Sequence, residues 1–263
     1  MRLRVEQLSY RYSDQAVIDD ISIHVAAGEF VGVVGPNGSG KSTLLKNLYR
    51  ALKPDTGKIL LDGEDYDMLN AKKIAQKIGV VGQEHMIPFD FNVDEIVAMG
   101  RSPYKKLFDM DTKEDRKIVE QALQNVGLTH LAKTNYLNLS GGERQRVVIA
   151  RVLAQQTNFL MLDEPTNHLD IQYQLQMFDL IKGLKLTVVS AIHDLNLAAL
   201  YCDRIYIMKE GRIYTSGTPE EVLTPQLLSE VFGIRAHIII HPLTQKVNIT
   251  YLPASIEREG ERV

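Results

Sequence analysis

Three short, mainly apolar runs, 30–35, 158–162 and 186–192, stand out against segments of alternating or cyclic polarity. Runs of this length read as strands buried on both faces. Further strands are predicted over 2–8, 20–25, 57–63 and 78–82, and a hairpin over 204–208 and 212–215 turns at Glu210-Gly211. Helical periodicity marks 41–52, which Lys53-Pro54-Asp55 is expected to end, and then 92–101, 112–126 and 141–155. Later helices are predicted over 171–184, 196–202, 219–223 and 225–232. Strand-forming stretches at 237–240 and 246–251 predict a small hairpin over 236–253, and the charged residues 254–263 predict a mobile tail.

Strand and helix alternate on either side of a purely helical middle. This pattern predicts an α/β fold: a mainly parallel sheet covered by helices, with a helical insertion over about 86–150.

Composition narrows the class. The 263 residues carry 44% hydrophobic and 24% charged residues, enough to bury a sizeable core. The net charge of −3 lacks the basic excess of a nucleic-acid binder, so no nucleic-acid partner is expected. A single cysteine, Cys202, excludes an internal disulfide and suits a reducing compartment. Met1 to Tyr12 lacks the apolar stretch of a signal peptide, and no apolar run approaches the ~18 residues of a membrane span.

Three motifs carry chemistry. Gly35-Pro36-Asn37-Gly38-Ser39-Gly40-Lys41-Ser42, followed by Thr43, lies between a buried strand and a helix. Glycines there let backbone N–H groups surround phosphate oxygens at a helix N-terminus. Lys41 would reach the β- and γ-phosphates of a nucleotide, and Ser42 would bind Mg²⁺. Phe159-Leu160-Met161-Leu162 ends in Asp163-Glu164. Asp163 can hold the metal and Glu164 can polarise an attacking water. Ser140-Gly141-Gly142-Glu143 opens a helix and reads either as a plain cap or as a second anion site.

Taken together, Leu139–Arg146 resembles the signature motif of ATP-binding-cassette ATPases, between a Walker A loop at Gly35–Ser42 and a Walker B strand at Phe159–Glu164. The order and spacing are similar to that family over about residues 3–230. The resemblance implies a P-loop, RecA-like core over 1–235, with an N-terminal antiparallel β subdomain and the helical insertion. It makes Tyr12 an adenine-stacking aromatic, Gln83 a catalytic and Mg²⁺-contacting glutamine, Asn167-His168-Leu169-Asp170 the D-loop, and His193 the γ-phosphate switch. It places Ser140, Gly141, Gly142 and Glu143 on the nucleotide of a second chain. Two departures occur: Glu143 stands where Gln is commonest, and the D-loop begins Asn-His rather than Ser-Ala. Both positions vary among active members.

Within that family, a stand-alone cassette without membrane helices, tandem copy or coiled coil implies a separate membrane subunit. Met99-Gly100-Arg101-Ser102-Pro103-Tyr104 is similar to the branch importing iron–siderophore complexes, haem and cobalamin, and the stretch from Ala191 to Asp203 resembles its ferric-chelate members, so the resemblance implies a ferric siderophore as cargo, with haem, cobalamin or a metal ion as the alternatives. The implied cofactors are ATP and Mg²⁺. The implied partners are a second copy, two polytopic permease subunits and, indirectly, a substrate-binding protein. The implied location is the cytoplasmic face of the cell membrane, held through the permease. A soluble ATP-switched regulatory cassette is the alternative of another class. The segment from Glu84 to Tyr104 is expected to receive a short helix of the permease.

Overall fold

The structure, a computed structural model, describes residues 1–82, 90–106, 109–166 and 170–253. Gln83, Pro88, Phe89, the D-loop residues 167–169 and the tail 254–263 lie outside the described residues.

An antiparallel sheet forms first, in the order β2-β1-β4-β5. It comprises β1 (Leu3–Tyr12), β2 (Gln15–Val25), β4 (Thr56–Leu61) and β5 (Glu64–Asp65). Strand β1 runs on to Tyr12 and β2 begins at Gln15, so this hairpin is longer than the alternation suggests. Gln7 takes φ 51°, and the register shifts between Val5 and Leu8. Such a bulge breaks the period-two pattern without ending the strand.

The second sheet holds six strands in the order β10-β9-β3-β8-β7-β6. These are β3 (Phe30–Val34), β6 (Ile78–Val81), β7 (Phe159–Asp163), β8 (Thr187–Ala191), β9 (Arg204–Lys209) and β10 (Arg212–Gly217). All neighbours pair in parallel except β9 with β10. The uninterrupted apolar runs have a simple cause. Phe30 and Val34 face one core and Val31 and Val33 the other, while Leu160 and Leu162 oppose Phe159 and Met161 in the same way.

Helix α1 (Lys41–Leu48) stops short of the expected end at residue 52. Arg50 takes a left-handed φ of 64°, and its guanidinium donates to the carbonyl of Tyr66 at 2.9 Å and to that of Leu69. The left-handed turn at Arg50, closed by Ala51 N donating to Lys46 O at 2.8 Å and held by this tertiary contact, ends the helix before Pro54 is reached. A further helix, α2 (Ala71–Lys77), leads into β6 with Asn70 as its N-cap.

The helical middle contains α3 (Val93–Ala98), a 3₁₀ segment (Met99–Tyr104), α4 (Lys113–Asn125) and α5 (Gly141–Ala154). Helix α3 and the 3₁₀ segment divide the single helix expected over 92–101. A buried ion pair ties this region together: Arg101 Nε donates to Asp115 Oδ1 at 2.9 Å. The same guanidinium donates to Ala154 O, the last carbonyl of α5, at 3.0 Å, and it lies 4.2 Å from the Tyr104 ring centre.

The remaining helices are α6 (Ile171–Gly183), α7 (Leu195–Tyr201), α8 (Pro219–Val222) and α9 (Pro225–Phe232). A separate hairpin, β11 (Arg235–Ile240) with β12 (Val247–Leu252), follows them. Among the described residues, no helix is long and apolar enough to cross a membrane.

Candidate nucleotide site

The order β3-β8-β7 decides what meets what. These strands run parallel, so their C-terminal ends share one edge of the sheet, the usual place for a ligand in such folds. The loop after β3 carries Lys41, the end of β7 carries Asp163 and Glu164, and the end of β8 leads to His193. Because β8 lies between β3 and β7, His193 falls between the glycine-rich loop and the acidic pair.

The loop from Gly35 to Gly40 is built for close backbone approach. A Cβ on Gly35 would stand 2.3 Å from Met208 O, and Gly40 holds φ 98° with Val17 O 2.8 Å from the same imagined atom. Lys41 is buried, and its Nζ donates to Gly35 O at 2.8 Å and Pro36 O at 3.1 Å. Its ammonium thus sits inside the loop that would wrap a phosphate. Burial lowers the Lys41 pKa, and Glu164 and Asp163 partly restore it.

Asp163 is 1% exposed, and among the described residues neither carboxylate oxygen has a hydrogen-bond partner of good geometry, the Ser42 hydroxyl being the polar group that acts on it most. Burial raises its pKa, while Ser42 nearby acts in the opposite direction. A buried carboxylate without a partner is costly unless something cationic completes it. Ser42 Oγ reaches Glu164 Oε1 at 3.5 Å, the outer limit of a hydrogen bond. Glu164 Oε1 in turn lies 2.5 Å from His193 Nε2. Glu164 also adopts φ 52°, a left-handed conformation uncommon for residues with a side chain, which turns the chain sharply after β7.

Tyr12 ends β1; the residue is 46% exposed and its ring makes a T-shaped contact with Tyr10 at 5.0 Å between ring centres.

The Ser140 turn is a separate feature. Glu143 N donates to Ser140 Oγ at 3.4 Å, and Glu143 Oε2 accepts from Ser140 N at 2.8 Å and Oγ at 2.6 Å. This capping box lowers the Glu143 pKa, first through the Ser140 hydroxyl. Gly141 and Gly142 occupy the first helical positions, whose N–H groups have no intrahelical acceptor. Among the described residues, no hydrogen bond or ion pair joins this turn to the Gly35–Ser42 loop.

Two contacts here carry no signal in the sequence. A Cβ on Gly142 would meet the Tyr173 ring at 2.9–3.1 Å, so α6 presses on the start of α5. Gln145 Nε2 donates to Pro165 O at 2.8 Å, which ties α5 to the loop just beyond Glu164. The sequence-predicted residues Lys41, Ser42, Asp163, Glu164 and His193 are thus brought to one edge. The Ser140–Glu143 group stands apart from them, and Gln83 lies outside the described residues.

Comparison with known proteins agrees with this geometry. Residues 18–167 match the ABC transporter family model. The chain is 41% identical over 246 residues to the ferric enterobactin transport ATP-binding protein FepC of Escherichia coli (strain K12), covering 92% of this chain and 91% of that protein. It is 38% identical over 254 residues to the hemin import ATP-binding protein HmuV of Bordetella bronchiseptica, covering 92% and 96%. Among solved structures, an inward-facing putative metal-chelate type ABC transporter matches with TM-score 0.81 and 31% identity, over 95% of this chain and 96% of that one.

Proposed function

From the premise that this chain belongs to the ABC transporter family, we propose that it is the ATP-hydrolysing subunit of a metal-chelate importer, with a ferric siderophore as the favoured cargo. The observation that carries the reading is the shared sheet edge, where Lys41, Ser42, Asp163, Glu164 and His193 converge and Glu164 contacts both Ser42 and His193. The cargo assignment rests on kinship, since ferric enterobactin and hemin proteins are similar over nearly the whole chain. Haem or cobalamin is the second reading, favoured by the 38% identity to the hemin protein.

In this reading ATP lies along the Gly35–Thr43 loop with adenine against Tyr12. Lys41 turns from the loop carbonyls to the β- and γ-phosphates. Glu164 accepts a proton from the water that attacks the γ-phosphorus, and the bond to the ADP oxygen breaks. His193 holds the γ-phosphate side and keeps Glu164 oriented. The unpartnered Asp163 carboxylate and the Ser42 hydroxyl form an oxygen donor set that fits Mg²⁺, with Gln83 as a further ligand. Mg²⁺ would supply charge neutralisation at the phosphates.

The separated Ser140–Gly142 helix start completes the site of a second copy, so that two ATP lie between two chains. Closure of the pair would move two permease subunits at the cytoplasmic face of the membrane. Their docking place is an open cleft of about 390 Å³ lined by Tyr49, Ile74, Met99, Pro103, Arg151 and Gln155. The cleft spans the strand-bearing and helical parts, so a helix seated there would feel their relative motion.

The test is nucleotide affinity and turnover of the purified chain beside Lys41→Ala. ATP binding and hydrolysis are expected in the first and neither in the second. Equal affinity and turnover in both would overturn the assignment of the site.

A further inference from the structure

The hairpin β11–β12 contains none of the residues assigned to the nucleotide, yet it is fastened to the element that carries His193. Asn196, in the first turn of α7, uses both ends of its amide. Its Nδ2 donates to Ile249 O at 3.1 Å, and its Oδ1 accepts from Ile249 N at 2.7 Å. The side chain thus acts as one more ladder partner on the free edge of β12. Ile249 and Val247 are buried in the same core as Leu195 and Leu197 of α7.

His193 sits between two fixed points. Ahead of it, Ile192 N donates to Val33 O at 3.1 Å, which anchors the chain to β3. Behind it, Asp194 Oδ1 caps α7 by accepting from Asn196 N at 2.8 Å and Leu197 N at 3.1 Å. The residue whose N–H receives the cap is the same residue whose amide holds the hairpin. Across from this turn, His193 and Leu195 share an open cleft of about 540 Å³ with Phe232, Arg235 and Tyr251. Packing leaves space beside the histidine, so apart from its contact with Glu164 its position depends on the backbone at its two ends.

We propose that Asn196 is a positioning residue for ATP hydrolysis: through Ile249 it makes the terminal hairpin a brace for the turn that presents His193 to Glu164. The proposal rests on the ATPase reading above. The brace acts on the chemical step and leaves nucleotide affinity to the Lys41 loop. Ile249 is buried and Asn196 half-buried, so without the Asn196 amide the Ile249 backbone would lose both a donor and an acceptor.

The test compares the full chain with Asn196→Ala, Asn196→Asp and Thr250→Ala, together with Lys41→Ala as reference. Asn196→Asp preserves shape but sets a carboxylate oxygen against Ile249 O; Thr250 is exposed on the outer strand face. Turnover, KM for ATP and the imidazole NMR signals of His193 are measured at matched folded fraction. Both Asn196 variants are expected to lower kcat about tenfold with KM within about twofold, and to shift the His193 signals. Thr250→Ala is expected to match the parent. If Lys41→Ala hydrolyses ATP like the parent, the ATPase site itself fails. If Lys41→Ala is dead but the Asn196 variants keep parental kcat, or lose kcat and affinity together with unmoved His193 signals, the brace is overturned while the ATPase reading stands.

Discussion

Glu164 Oε1 lies 2.5 Å from His193 Nε2, a contact between residues that follow two adjacent parallel strands. Glu164 is nearly enclosed, with a side chain 9% exposed, whereas that of His193 is 39% exposed. The pair therefore has one enclosed and one open member.

Removing the base while keeping its shape should separate binding from chemistry. Glu164→Gln is expected to bind ATP with near-parental affinity and to lose about 10²–10⁴-fold in kcat. Single-turnover hydrolysis with a parallel binding titration checks this. Parental turnover in the variant would remove Glu164 from the role of base.

Gly142 is a matter of space. Its missing Cβ would stand 2.9 Å from the Tyr173 ring. Gly142→Ala is expected to cost about 1–3 kcal/mol by overpacking. Added to Tyr173→Ala, the same change should cost far less, since the ring is gone. Thermal unfolding of the four proteins in the cycle decides. Equal penalties in both backgrounds would mean that the ring is not what excludes the methyl group.

Much of the fold could be read from the residues because the central strands are buried on both faces. Strands β3 and β7 show this as unbroken apolar runs. That the glycines, acids and histidine of the candidate site would meet at one sheet edge was legible for a related reason: they stand where those runs end. What escaped was tertiary. The bulge at Gln7 hides the length of β1, and Arg50 ends α1 through carbonyls 16 and 19 residues away. Gly142 with Tyr173 and Asn196 with Ile249 join residues distant along the chain, and no local pattern announces such pairs.

The Arg101–Asp115 pair predicts a pH dependence. Arg101, together with Thr112, holds the Asp115 pKa down at about 2 instead of 3.8. A carboxyl depressed on folding stabilises the protein above its unfolded pKa, and that gain fades as pH falls from about 4 towards about 2. Asp115→Asn should lower stability at neutral pH and flatten the acid limb of the melting temperature against pH. An acid limb parallel to that of the parent would contradict the pairing.

The cleft beside Met99 should matter for assembly and not for nucleotide. Met99 is 38% exposed and is not among the residues proposed to face phosphate. Met99→Glu should leave ATPase activity of the isolated chain within about twofold, since exposed changes away from a site have small effects. It should prevent co-purification with the permease. A full complement of permease on the variant would place docking elsewhere.

The central claim is that ATP is held between two copies, with the Ser140 helix start of one over the Lys41 loop of the other. Two chains carry Glu164→Gln; one also bears Asn37→Cys and the other Leu137→Cys, both at exposed positions. The native Cys202 is buried and its thiol pKa is pushed up, so it should stay unreactive. The mixed chains are treated with a short bifunctional thiol cross-linker, with and without ATP, after each is shown to bind nucleotide. The account predicts a cross-linked pair containing one of each chain, formed with ATP and absent without it. No mixed product at saturating ATP would contradict the shared nucleotide site.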